Sequence, residues 1–93
     1  MKSILTTDPD KCYFCHAPKW TDHIIISTFP QFERAAIADG LTVPVCWECN
    51  VKLHAHSRWS QRMMRQLHEE AQLAWEAEHP GEVFERRFGR NFL

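Results

Sequence analysis

Beyond Ser57, apolar side chains recur every fourth residue: Trp59, Met63, Leu67, Ala71 and Trp75, with Ala74 widening the stripe. That spacing holds them on one face of an α-helix. Arg58, Arg62, Arg65, Gln66, Glu69, Glu70 and Glu76 cover its other sides, and Pro80-Gly81 ends the run. Phe84, Phe88 and Phe92 follow at i, i+4 spacing, which predicts a short helix folding back onto the long one. In so short a chain an aromatic stripe at helical spacing reads as core. The expected seam therefore runs from Trp59 to Trp75 against the C-terminal phenylalanines.

Upstream the pattern changes. Thr21–Ser27 is rich in β-branched residues and predicts a strand, and Leu41–Val45 predicts a second. The second strand belongs at an edge or a bulge, because Pro44 has no N–H for a ladder. Between them, Phe29–Asp39 predicts a short helix with Phe32, Ala35 and Ala36 on one face and Gly40 as its stop. Residues 1–11 are polar and read as an irregular lead-in. A further helix is expected from Cys46, carrying Asn50 and His54 one turn apart on one side.

Two Cys-x-x-Cys pairs change this picture more than any other feature: Cys12/Cys15 and Cys46/Cys49. Four thiolates in two close pairs can enclose one tetrahedral zinc. An even cysteine count also admits disulfides. However, no apolar h-region follows Lys2, so a reducing, cytoplasmic compartment is expected, where such pairs are metal or redox sites. A thioredoxin-like reading wants one pair on a βαβ unit, and none is present. Zn2+ held by Cys12, Cys15, Cys46 and Cys49 is the expectation, with iron as the alternative ion. His16 is not needed as a ligand, and His56 and His68 read as surface histidines.

The chain has 93 residues, one domain near the size at which a hydrophobic core alone gives marginal stability, so a structural metal suits it. No apolar run approaches membrane-spanning length, and no membrane association is expected. The formal net charge of −1 counts against strong, delocalised DNA affinity but not against a local basic patch such as Arg58, Arg62 and Arg65.

In order along the chain, Cys12-x-x-Cys15, Asp22-His23-Ile24 and Cys46-x-x-Cys49-Asn50 resemble the HNH endonucleases, and the run as a whole is similar to small phage and prophage HNH-like proteins. The resemblance spans residues 12–56. It implies an α+β fold, a zinc-stabilised treble clef with a ββα-metal core, followed by a helical extension over residues 57–93 of the same domain. It also implies a DNA-cleaving enzyme in a bacterial host cytoplasm. In that family the residue before the base ligates a catalytic divalent ion, which would make Asp22 the ligand and His23 the general base. Asn50, His54 or both would complete the site for Mg2+ or a similar ion.

These residue types suit phosphodiester hydrolysis. An imidazole can deprotonate water near neutral pH, and a hard cation with oxygen ligands stabilises charge on the leaving oxygen. Adjacent strand residues point to opposite faces, so Asp22 and His23 serve one phosphate only at a distorted or terminal stretch of strand. The family's middle Asn has no counterpart, since Leu41 stands about there, with Asp39 and Thr42 as candidate substitutes. Two functions follow: a metal-dependent nuclease acting on DNA, or an inactive zinc adaptor of the same fold that binds nucleic acid or a host or phage protein.

Overall fold

The computed structural model describes residues 2–93. Its element order is β1 (Thr21–Ile24), α1 (Pro30–Ala38), β2 (Thr42–Val45), α2 (Trp47–Leu53), α3 (Arg58–Glu78) and α4 (Phe84–Phe88). The class is α+β: β1 and β2 form a two-stranded antiparallel sheet, and the helices pack around it. Among the described residues, no helix is long and apolar enough to cross a membrane.

β1 is shorter than the β-branched run because its partner is short. Ile24 pairs with Thr42, and beyond it Ile25 keeps one bond to the Leu41 carbonyl, at 3.1 Å, before the chain turns inward. Ile25 and Ile26 are both buried, which strand alternation does not allow. Asp22 lies opposite Pro44. Proline has no N–H to offer there, and its carbonyl accepts instead from the Tyr13 N–H at 2.8 Å. The sheet and the N-terminal segment are joined at that point.

α1 begins with Pro30 in its first turn, where a missing N–H costs nothing. It ends at Gly40, whose φ of 78° favours glycine, with the Leu41 N–H returning to the Ala36 carbonyl at 2.8 Å. α2 is capped by a sulfur: Cys46 Sγ accepts from the Cys49 N–H at 3.5 Å. α3 is capped by Ser57, whose Oγ accepts from the Ser60 N–H at 3.1 Å.

The seam of α3 is divided between two neighbours. At its C-terminal end Trp75, 1% exposed, meets Phe84 and Phe88 edge-on at 5.5 and 6.0 Å between ring centroids. The N-terminal end does not reach the C-terminal phenylalanines, contrary to the sequence expectation. Trp59 is 36% exposed and packs edge-on against Phe14 at 5.8 Å, with Lys52 over its ring. A helix of this length spans more than one layer of so small a molecule, so one stripe serves two contacts.

Polar anchors fix these contacts. Asp39, the C-cap of α1, accepts from Trp75 Nε1 at 2.8 Å and from Arg87 Nε and Nη2 at 2.8 and 2.9 Å. Buried Gln72 accepts from the Phe92 N–H at 2.7 Å and holds the C-terminal tail on α3. His68 is not a surface histidine: it is part-buried, stacks on Phe92 at 4.4 Å between centroids, and has Nε2 3.0 Å from the Ile25 carbonyl.

Candidate metal centre and the adjoining pocket

The first knuckle is a tight loop from Lys11 to Pro18, which form an isolated antiparallel bridge. The Cys12 N–H donates to the Ala17 carbonyl at 2.7 Å and the His16 N–H to the Cys12 carbonyl at 3.0 Å. Closing so small a loop forces a left-handed residue, and His16 takes it with φ 64°. The exposed His16 takes the left-handed turn position of the loop and lies outside the cysteine cluster. The second knuckle is the first turn of α2. Because β2 feeds straight into it, the register of the sheet brings both pairs together.

Ligand atoms of Cys12, Cys15, Cys46 and Cys49 all lie within 4.8 Å of one another, and none of the four is in a disulfide. Cys15 Sγ is 3.6 Å from Cys46 Sγ and 3.8 Å from Cys49 Sγ. A tetrahedron with metal–sulfur bonds of about 2.3 Å has edges of roughly 3.8 Å. The thiols are therefore spaced as a four-thiolate cage requires, compatible with a structural metal ion such as zinc. Three ligands are buried and Cys15 is exposed.

The thiols do not ionise alike. Burial raises the Cys12 pKa, but backbone N–H groups of Cys46, Cys15 and Phe14 outweigh it and bring the group down to about 6. Burial pushes Cys49 well up, and hydrogen bonds with Cys46, Cys12 and Cys15 push it further. Four thiolates at this spacing need a cation to ionise together.

Beside the cage lies an open pocket of about 320 Å3 whose walls include Asp22, His23, Asn50 and His54, all four of the residues that the Asp-His dipeptide and α2 were expected to contribute. Asn50 lies within α2 and His54 is its C-cap. The His23 and His54 rings stand 5.8 Å apart between centroids, inclined at 65°. His23 is only 8% exposed, and its Nε2 is buried without a hydrogen-bond partner. Burial, then the nearby His54 and His68 rings, bring its pKa down from 6.5 to about 4. Its ring is neutral at pH 7.

Asp22 projects on the other side of β1, as strand alternation requires, and its Oδ2 is 3.0 Å from Lys19 Nζ. Its carboxylate does not converge with the imidazoles: among the described residues, the cysteines form the one cluster of three or more His, Cys, Asp or Glu ligand atoms. Asp39, one candidate substitute for the missing middle Asn, does not stand in for it. Leu41 is fully buried, and Asp39 is committed to Trp75 and Arg87.

Two residues beside the pocket carried no signal in the hydropathy pattern. Trp20, at the pocket rim, and Trp47, in the first turn of α2, are 57% and 56% exposed and pack edge-to-face at 4.6 Å between centroids. Compared with protein-family models, with curated proteins and with solved structures, the chain gives no match in any of the three.

Proposed function

We propose that the protein is a zinc-held, metal-dependent nuclease of the HNH type, with knuckle, hairpin and α2 forming a treble clef. The observation that carries this reading is the shared pocket: Asp22, His23, Asn50 and His54 all border one open cavity, with Asn50 next in sequence to Cys49 of the cysteine cage. A structural zinc has no use for these four polar residues. In this reading His23 accepts the proton of the attacking water. Its neutral state at pH 7 leaves the ring free to do so, and an approaching phosphate raises its basicity. Asn50 and His54 hold a divalent ion from the helix side, while Asp22 stays paired with Lys19 on the other side of β1. The ion, when bound, supplies charge stabilisation on the phosphate and leaving oxygens. Exposed Arg58, Arg62 and Arg65 on α3 form no ion pair among the described residues and are available to phosphates.

A second reading is an inactive adaptor of the same fold that binds nucleic acid or a host protein. The burial of His23 and the Asp22–Lys19 pair favour it. Nicking of supercoiled plasmid with Mg2+, Mn2+ or Ni2+, wild type against His23→Ala, separates the two. The nuclease reading expects one zinc per chain by elemental analysis in both proteins and cleavage by the wild type alone. Inert wild type with every ion, or equal cleavage by His23→Ala, selects the adaptor.

A further inference from the structure

Trp20 and Trp47 are large apolar side chains left more than half exposed, where burial would ordinarily be favourable. Both are held by rigid backbone. The Trp20 N–H donates to the Val45 carbonyl at 2.9 Å at the head of the sheet, and Trp47 follows the ligand Cys46 directly into α2. Val51, one turn beyond Trp47 on α2, is 49% exposed and extends the apolar surface. Trp20 also borders the pocket of His23, Asn50 and His54, so the aromatic pair is continuous with the proposed reaction site.

The charge balance and the aromatic faces together bear on what such a surface is suited to hold. Eleven Lys and Arg against twelve Asp and Glu give a formal net charge of −1. Duplex DNA is gripped chiefly through phosphates, and a chain of this balance has little charge to spend along two strands. Stacking of unpaired bases on aromatic faces adds affinity beyond the phosphate contacts, tolerates any sequence and is unavailable to bases already stacked inside a duplex.

We propose that the Trp20–Trp47 pair is a stacking platform for a nucleobase next to the scissile phosphate, making the substrate single-stranded or locally unpaired DNA. The proposal rests on the nuclease reading for its scissile phosphate. Trp20 lines the rim of the pocket that His23 also lines, so a base on the platform sits at the edge of that cavity. The platform selects DNA form and leaves sequence unread.

The test is fluorescence anisotropy of the full-length zinc-loaded protein at 0.15 M salt with Ca2+. The probes are a labelled 12-nucleotide single strand, the same strand as a blunt duplex, and the same backbone with abasic sites replacing its bases. The expected result is at least tenfold tighter binding of the single strand than of either other probe. Trp20→Ala and Trp47→Ala should each lose about tenfold of that affinity, with unchanged zinc content and salt slope, whereas Trp20→Phe keeps most of it. Equal affinity for strand and duplex overturns the proposal, as does full binding of the abasic probe or no loss in both alanine variants. So does a wild-type dimer that the alanine variants convert to monomer in sedimentation, which makes the patch an interface between copies. Cleavage of the same probes with Mn2+ is scored separately. Selective binding without cleavage defeats the nuclease reading and leaves the platform standing, and duplex cleavage without strand preference does the reverse.

Discussion

Replacing His23 with Leu separates what this residue does for stability from what it does for function. At pH 7 the ring is neutral, 8% exposed, and its Nε2 has no partner. An unpaired buried polar atom costs about 1–3 kcal/mol, and leucine has a similar volume with no such atom. His23→Leu is therefore expected to raise stability at pH 7 by about 1 kcal/mol, some 4–8 °C in Tm for a domain of this size. The pH dependence is sharper. With a folded pKa of about 4 against 6.5 unfolded, the unfolded chain binds the proton first as pH falls. Above pH 6.5 both states are neutral and nothing is lost. From there down through 4 the folded state falls progressively behind, and below 4 it carries the full cost of a buried cation. At about 1.4 kcal/mol per pH unit the gap amounts to about 3 kcal/mol. Protonation of the cysteines and of part-buried His68 acts in the same range, but both proteins share it. The assay is urea unfolding of zinc-loaded wild type and His23→Leu at half-unit steps from pH 7.5 to 4.5. The two stability curves should diverge by 2 kcal/mol or more towards the acid end. Parallel curves, or a leucine variant strongly destabilised at pH 7, would refute the argument.

Other expectations follow from packing. Trp75→Ala, which removes a buried ring and the donor to Asp39, should cost about 3–5 kcal/mol by chemical denaturation, whereas half-open Trp59→Ala should cost about 1–2; equal costs would mean that α3 is buried evenly along its length. His16→Gly relieves the left-handed φ of 64° and should stabilise the metal-loaded protein by about 0.5–1 kcal/mol, measured as a rise in urea midpoint. A fall in that midpoint would assign the imidazole a contact of its own.

Element types were legible from the sequence because each rests on local chemistry: the fourfold apolar repeat of α3, Gly40 as the stop of α1, Pro44 at an edge or a bulge, and paired cysteines at turn spacing. Partners were not. Periodicity says that Trp59 lies on the apolar side of α3, but its neighbour Phe14 belongs to the first knuckle, and no pattern within α3 names it. His68 looked like a solvated residue between charged neighbours, yet the end of β1 brings the Ile25 carbonyl to its ring. Asp39 could be read as a helix terminator or as a substitute for the missing Asn. Only the convergence of α1, α3 and α4 decides for the first. The pocket residues were named from their order in the chain, but the pairing of Asp22 with Lys19 depends on which strand face each occupies.

The cage also bears on the order in which the molecule can assemble. β1 and β2 are separated by residues 25–41, so zipping them together first would mean closing a wide loop for a four-residue ladder. Cys15 and Cys46 stand just outside the same loop, one before β1 and one immediately after β2. Gathering the sulfurs around an ion would thus perform the closure that the strands need, and the ladder would form as a local event. Tyr13, between the first two ligands, donates to Glu70 Oε2 of α3 at 2.7 Å, so the same event gives the long helix its docking point. An ion held by the cage would then act as a folding nucleus as much as a staple, and refolding speed should follow how quickly it arrives.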